Sequence, residues 1–276
     1  MKTALLQITS GDDPTENLNV VLEMMRDAVS QGAGFVLTPE VTNCLTWNRA
    51  QQDTVLQLES DDITLATLRK EAKALGVWLS IGSLALKTGD ADGRFANRSF
   101  MIAPDGSIAA RYDKIHMFDV TVSEAETYRE SKGYRPGDQA ALVQTPFGGI
   151  GMSICYDVRF AYLYRRLAQA GADILLVPAA FSPVTGAAHW ETLLRARAIE
   201  TGCYVLAAAQ TGTYDETAAR LRTTYGHSLV VSPWGEILVD GGTAPGIVMV
   251  DLNLTEVSHA RKRISALTHD RDFTGP

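Results

Sequence analysis

The chain has 276 residues, 46% hydrophobic, 21% charged and 8% aromatic, with 25 Lys and Arg against 32 Asp and Glu for a net charge of -7. Without a sustained basic stripe, that balance argues against a nucleic-acid or anionic-membrane partner, and no apolar run approaches the ~20 residues that span a bilayer. Met1-Lys2-Thr3-Ala4-Leu5-Leu6-Gln7 reads as a short strand rather than a secretory signal, and three cysteines are too few for a disulfide framework. Cys44, Cys155 and Cys203 are therefore expected as reduced thiols in a cytoplasmic setting. Asn97-Arg98-Ser99 and Asn253-Leu254-Thr255 match the glycosylation pattern, which carries no weight without an export signal.

Strands and helices alternate along the chain. Lys2 to Ile8 reads as a strand, and Pro14 to Ser30 as an amphipathic helix with proline in its first turn. Gly34 to Thr38 is a short apolar strand. Asp61 to Leu75 is a helix stopped by Gly76, and the strand Val77 to Ser83 follows. Ser99 to Ala103 and Ser107 to Tyr112 flank Pro104-Asp105-Gly106, a strong hairpin turn. The second half repeats the order. Gly149 to Cys155 is a strand, Tyr162 to Ala170 a helix ended by Gly171, and Asp173 to Pro178 a short apolar strand. Ala187 to Thr201 is a helix, Cys203 to Ala209 a strand, and Ser228 to Ser232 meets Pro233-Trp234-Gly235 before Glu236 to Val239.

The likeness is visible in letters. Gly34-Phe35-Val36-Leu37-Thr38-Pro39 resembles Ala172-Asp173-Ile174-Leu175-Leu176-Val177-Pro178, and Ser99-Phe100-Met101-Ile102-Ala103-Pro104-Asp105-Gly106 resembles Ser228-Leu229-Val230-Val231-Ser232-Pro233-Trp234-Gly235. Two copies of a β-α-β-α-β-hairpin unit account for a length near two domains of ~150 residues with no hinge between them. The expected fold is α/β, two sheets packed face to face with helices on the outer faces, in a single domain over residues 1–276. Two unrelated α/β stretches sharing turn residues is the alternative.

In α/β proteins, functional side chains collect past the carboxyl ends of strands. Glu40 follows such a strand through Pro39, Lys114 follows the second hairpin strand, and Cys155 ends Gly149-Ile150-Gly151-Met152-Ser153-Ile154. Each alone has a plain reading: a solvated loop acid, a surface lysine, a small buried filler. Together they supply what amide cleavage needs. A thiol attacks after losing its proton, which a carboxylate can accept and later return to the departing amine. The negative charge left on the carbonyl oxygen needs fixed donors, such as an ammonium and a backbone N–H just past the nucleophile, here that of Tyr156.

Thr38-Pro39-Glu40, Tyr112-Asp113-Lys114-Ile115-His116-Met117-Phe118-Asp119 and Ile154-Cys155-Tyr156-Asp157-Val158-Arg159-Phe160 resemble the three signature segments of the nitrilase superfamily of carbon–nitrogen hydrolases. The resemblance covers essentially the whole chain and implies a four-layer αββα sandwich with an internal two-fold. It implies Glu40 as general base, Lys114 as oxyanion partner, Cys155 as nucleophile, and Glu130 as a second glutamate that positions lysine and substrate; an exposed loop acid is the plain reading of Glu130. Many relatives carry proline after the Cys-Tyr-Asp-x-Arg-Phe run, where this chain has Ala161. The stretch from Gly186 to Thr201 with Cys203-Tyr204-Val205 looks most like the deaminated-glutathione amidase branch. That implies a cofactor-independent amidase acting on a small-molecule amide, with homodimers or higher homo-oligomers usual. An ω-amidase, an N-carbamoyl amine hydrolase and a catalytically silent scaffold remain open.

Other patterns are weaker. His189-Trp190-Glu191 lacks the Pro-Cys-x-x-Cys partner of a zinc deaminase, and Glu191 four residues before Arg195 fits a helix-surface pair. No metal site is expected, and Gly148-Gly149-Ile150-Gly151 matches no nucleotide-binding pattern. A Cys155–His dyad with His116, His189 or His227 is the chief mechanistic rival. Cys44 and Cys203 read as packing residues, and Arg195 and Arg197 as solvated.

Overall fold

Alternation within short apolar strands decides the layers. In the computed structural model, which describes residues 1–122, 126–214 and 222–275, β1 (Lys2–Gln7) sends Leu5 to one core and Ala4 and Leu6 to another. β2 (Phe35–Leu37) divides in the same way, with Phe35 and Leu37 on the first side and Val36 on the second. Strands apolar on both faces must be covered on both. The second side is covered by α1 (Pro14–Ser30) and α3 (Ile63–Leu75), through Leu18, Val21, Met25, Leu65 and Leu68. Asp13 caps α1 by accepting from the N–H groups of Thr15 and Glu16, and Asp62 caps α3 by accepting from Leu65. Between them lies the short polar helix α2 (Arg49–Val55), which the sequence pattern did not announce.

β3 (Trp78–Lys87), β4 (Phe95–Ile102) and β5 (Ile108–Asp113) complete the first half. The rest of the chain comprises β6 (Ala141–Thr145), β7 (Gly148–Met152), α4 (Ala161–Gln169), β8 (Ala172–Leu176), α5 (Pro183–Thr201), β9 (Tyr204–Ala207), β10 (Thr211–Tyr214), β11 (Arg222–Tyr225), β12 (Leu229–Val231), β13 (Ile237–Asp240), β14 (Gly246–Asp251) and α6 (Thr255–Arg263). The sheet orders are β14-β1-β2-β3-β4-β5 and β13-β12-β9-β8-β7-β6, with β10 and β11 forming a separate hairpin. In each sheet the second to fourth strands of the first order, and their counterparts β7, β8 and β9, run parallel, while the other neighbours pair antiparallel. The result is the four-layer αββα sandwich of two similar halves.

One departure from a simple repeat matters. β6 follows the first half in the chain but pairs with β7, and β14 follows the second half but pairs with β1. Each half thus lends its last strand to the other's sheet. Neither strand was anticipated, because a one-strand exchange leaves no local signal in the letters.

Helix α5 begins at Pro183 rather than Ala187: proline is well suited to the first helical position, and Gly186 is inside the helix because the Tyr225 ring lies 2.3 Å from where its Cβ would stand. Arg197, expected in solvent, is 6% exposed. Its Nε donates to the Val158 carbonyl at 2.8 Å and its Nη1 pairs with Glu200 at 2.5 Å. Glu191 and Arg195 form the expected surface pair at 3.2 Å. Among the described residues no helix is long and apolar enough to cross a membrane.

Candidate active site

The two sheets bring the ends of β2, β5 and β7 to one place. Met101 of β4 and Tyr112 of β5 face the core between the sheets, so Asn97 and Lys114, two-residue steps away along their strands, share that face. Glu40 arrives on the turn after β2. Gly82, at an irregularity in β3, lets this turn nest closely: a Cβ there would stand 2.0 Å from the Thr38 carbonyl oxygen and 2.6 Å from Pro178 Cβ. Val41 takes φ 48°, unusual for a β-branched residue, and its N–H is fixed by Ser83 Oγ at 2.7 Å.

Cys155 lies three residues past the end of β7, not at its last position, and opens a 3-10 turn over Cys155–Arg159. Its φ of 48° places it in the left-handed region. Two ties hold that turn. The Cys155 N–H donates to the Pro178 carbonyl at 2.9 Å, and the Asp157 carboxylate accepts from the Ile154 N–H at 2.8 Å. Asp157 also accepts from the Tyr112 hydroxyl at 2.7 Å and the His116 N–H at 3.1 Å. One fully buried carboxylate therefore joins the strand end that bears Lys114 to the turn that bears Cys155.

Lys114 Nζ is 2.8 Å from Glu40 Oε1 and 2.9 Å from Glu130. Glu40 Oε1 also accepts from Asn97 Nδ2 at 2.9 Å, and Oε2 accepts from the Ala180 N–H at 2.8 Å. Glu130 is no free loop acid: Phe118 N–H donates to its Oε2 at 2.6 Å. Glu40, Lys114 and Cys155 are 5%, 2% and 8% exposed, so a charge here is tolerable only because every carboxylate oxygen has donors.

Electrostatics follow from that arrangement. Burial pushes the Glu40 carboxyl up, but the Lys114 ammonium and its hydrogen bonds outweigh burial and hold it below the usual carboxylate value. Burial lowers Lys114, yet Glu130 and Glu40 raise it well above an ordinary lysine. Burial and the Glu40 charge push the Cys155 thiol well up, with Lys114 opposing. The resting state is thus thiol, carboxylate and ammonium. Glu40 and Cys155 line the same cavity and their charges act on one another, so a carboxylate stands beside the thiol as an acceptor for its proton. The Tyr156 N–H lies in the first turn of the 3-10 helix, where backbone donors have no partner within the helix.

The histidine rivals are engaged elsewhere. His116 sets Nδ1 2.7 Å from Asp157 and Nε2 2.5 Å from the Tyr162 hydroxyl, and stacks on Phe160. His189 Nδ1 lies 3.3 Å from Arg159, and His227 Nδ1 lies 3.0 Å from Asp240.

The set opens into a cavity of about 390 Å³. Its walls include Trp47, Tyr134, Tyr156 and Phe181, together with four cations, Arg49, Arg129, Lys132 and Arg222. Cys44 also lines it, yet is buried in a small apolar cluster with Val41, Leu45 and Phe95; Cys203 lies in the main core, where its sulfur also accepts from Arg261 at 3.0 Å, so both are packing residues. The sequence reading missed the cations, which come from three separate places: the start of α2, the short 3-10 turn at Glu130–Lys132, and the start of β11. It also missed Asn97, noticed only as part of a glycosylation tripeptide; the alternation Asn97, Ser99, Met101 was its available signal.

Comparison with known proteins agrees with this geometry. The family model described as carbon–nitrogen hydrolase matches residues 2–262. A deaminated glutathione amidase of Yersinia enterocolitica is 38% identical over 97% of this chain and 92% of its own length. An ω-amidase of Bos taurus is 35% identical over 98% of this chain and 95% of its own. The crystal structure of the Caenorhabditis elegans NitFhit protein superposes with a TM-score of 0.90 at 35% identity, covering 98% of this chain and 65% of that one. This chain belongs to the carbon–nitrogen hydrolase family of the nitrilase superfamily, and is a hydrolase of carbon–nitrogen bonds other than peptide bonds.

Proposed function

We propose that this chain is a cofactor-independent amidase that cleaves a small, carboxylate-bearing amide through a thioester at Cys155. The observation that carries the reading is the Glu40 carboxylate, 2.8 Å from the Lys114 ammonium and lining one cavity together with Cys155. Sulfur attacks the amide carbon as Glu40 takes the thiol proton, and the carbonyl π electrons move onto oxygen. That oxyanion is met by Lys114 and the Tyr156 N–H. Collapse of the adduct re-forms the carbonyl and breaks the C–N bond, and Glu40 returns the proton to the departing amine. Water then adds to the thioester, giving its proton to Glu40. The C–S bond breaks, the acid leaves, and Cys155 recovers its proton. Glu130 holds Lys114 in place throughout.

Substrate chemistry follows from charge. A protein of net charge -7 nonetheless lines this cavity with Arg49, Arg129, Lys132 and Arg222. Such walls suit an anionic amide. Deaminated glutathione, with a carboxylate at each end, has that chemistry, and the Yersinia relative named for this activity supports it. The bovine ω-amidase supports a second reading, 2-oxoglutaramate or a related monoamide. An amine- and ammonia-release screen over deaminated glutathione, 2-oxoglutaramate, N-carbamoyl amines and nitriles tests both. The highest kcat/KM is expected for deaminated glutathione; turnover confined to carbamoyl compounds overturns the reading.

The same reading takes residues 1–276 as one domain working in the cytoplasm as a homodimer or higher homo-oligomer. Sedimentation at micromolar concentration is expected to show more than one copy, and a monomer would refute it.

A further inference from the structure

Asn97 lies on β4 and touches every charged member of the Glu–Lys–Glu set. Its carbonyl accepts from the Lys114 N–H at 3.0 Å, and its Nδ2 donates to Glu40 Oε1 at 2.9 Å and reaches Glu130 Oε1 at 3.4 Å. The side chain is 2% exposed, and its Oδ1 is buried with no hydrogen-bond partner. The amide cannot turn over to relieve that acceptor, because its oxygen would then face two carboxylates. A buried polar group retained at such a cost needs an explanation.

A carboxylate oxygen has two acceptor sites. At Glu40 Oε1 both are filled, by Lys114 and by Asn97. Oε2 accepts from the Ala180 N–H at 2.8 Å and from no other group described, so it keeps one free acceptor site, in the cavity that Cys155 also lines. We propose that Asn97 is a positioning residue: with Lys114 it saturates Oε1 of Glu40, and so leaves Oε2 as the oxygen that exchanges the proton with Cys155. This rests on the amidase reading above for Glu40 as the proton acceptor, and not on which amide is cleaved. The groups that face Glu40 are Lys114 from the end of β5, Cys155 from the turn after β7, Glu130 through Lys114 and Asn97, and Tyr134.

The deciding readout needs no substrate. Alkylation of Cys155 by iodoacetamide in the full chain is followed by peptide mass spectrometry against pH, with Cys44 and Cys203 resolved as separate peptides. Replacing Asn97 by Ala removes a donor to the charged carboxylate, so the acid limb of the alkylation profile moves to higher pH. The acid limb of kcat/KM moves with it, while kcat falls about ten- to a hundredfold with KM nearly unchanged. Asn97→Ser keeps a polar group in the buried slot and gives a smaller shift in the same direction, and it decides the matter if the Ala variant does not fold. A lowered plateau with the acid limb in place shows a merely structural role and overturns the proposal, as does an unchanged profile. Glu40→Gln is the control. If it leaves the wild-type limb intact, Glu40 is not the proton acceptor and the inference goes with that reading. A limb shift in the Asn97 variants alongside failure of the amide screen leaves this inference standing and removes only the substrate.

Discussion

β1 and β7 hold the same place in the two sheets, each beside an edge strand, β14 and β6, and flanked by one antiparallel and one parallel neighbour. They end differently. Past β1 the chain reaches Ser10, whose N–H donates to Gln210 Oε1 at 3.0 Å and whose hydroxyl donates to the Thr42 carbonyl at 3.1 Å. Gln210 closes the web by donating back to Ser10 Oγ at 2.8 Å and to the Glu40 carbonyl at 3.0 Å. Past β7 the chain reaches Cys155, in a left-handed conformation with a raised thiol against a buried carboxylate. One exit is fully satisfied and the other stores strain and charge. The repeat supplies the geometry twice, and the proposed chemistry uses one copy while the other braces it.

The sharpest way to break this comparison is to disable each exit. Cys155→Ala is expected to lower kcat by at least about a thousandfold, since no other group can form the thioester. Its melting temperature should stay level, because alanine keeps the same left-handed backbone and the Glu40–Lys114 pair is untouched. A variant that turns over at wild-type rate sinks the nucleophile assignment.

Lys114→Met probes the charge that only one exit carries. It leaves Glu40 and Glu130 buried without their cation, which is expected to cost about 3–5 kcal/mol at neutral pH. The pH dependence has a definite sign. Glu40 is held below its ordinary 4.5 in the folded chain, so its contribution is present above 4.5 and is lost as pH falls through the lower folded value. Lys114 is held above 10.5, so its contribution is present below 10.5 and is lost as pH rises through the higher folded value. The gap between wild type and variant in urea midpoint should therefore be widest between these values and narrow on acidification. A gap that widens toward acid contradicts the ion-pair account.

Much of this was legible in the letters, and the exceptions share a cause. β1 and α1 were read to within a residue, because alternation, an Asp–Pro start and a 3.6-residue period are local. Glu40, Lys114 and Cys155 stood out because reactive side chains follow strand ends. Asn97 did not, since an amide on a short strand takes its meaning from Glu40 and Glu130, far away in sequence. The exchange of β6 and β14 and the burial of Arg197 against Val158 were hidden for the same reason. Nonlocal pairing decides them, and single-sequence patterns carry no such information.

Ser10→Ala examines the quiet exit. It strips a hydroxyl from a buried web and leaves Gln210 Nε2 with one partner fewer, a loss of about 1–3 kcal/mol in stability. Turnover should hold near wild type, because Gln210 still reaches the Glu40 carbonyl. Denaturant midpoints and kcat/KM measured together test the division. A variant whose stability is intact but whose kcat collapses would mean that the web past β1 belongs to the chemistry.

The helices that follow the two strands extend the contrast to its smallest expected effect. α1, after β1, opens with Asp13 as its cap and Pro14 in its first turn. α4, after β7, opens at the exposed Ala161 with no side-chain cap from Phe160. Phe160 has φ -107° and ψ 81°, outside the α region that a following proline disfavours. Ala161→Pro should thus stabilise the fold by about 0.4–1 kcal/mol, chiefly by restricting the unfolded chain. That corresponds to a melting temperature higher by about 1–3 °C for a chain of this size. Activity should not change, because Asp157 and the Pro178 carbonyl, not the start of α4, fix the turn at Cys155. A gain in stability accompanied by a fall in kcat would show that slack at Ala161 is transmitted to the thiol, and that the second exit needs its looser helix start.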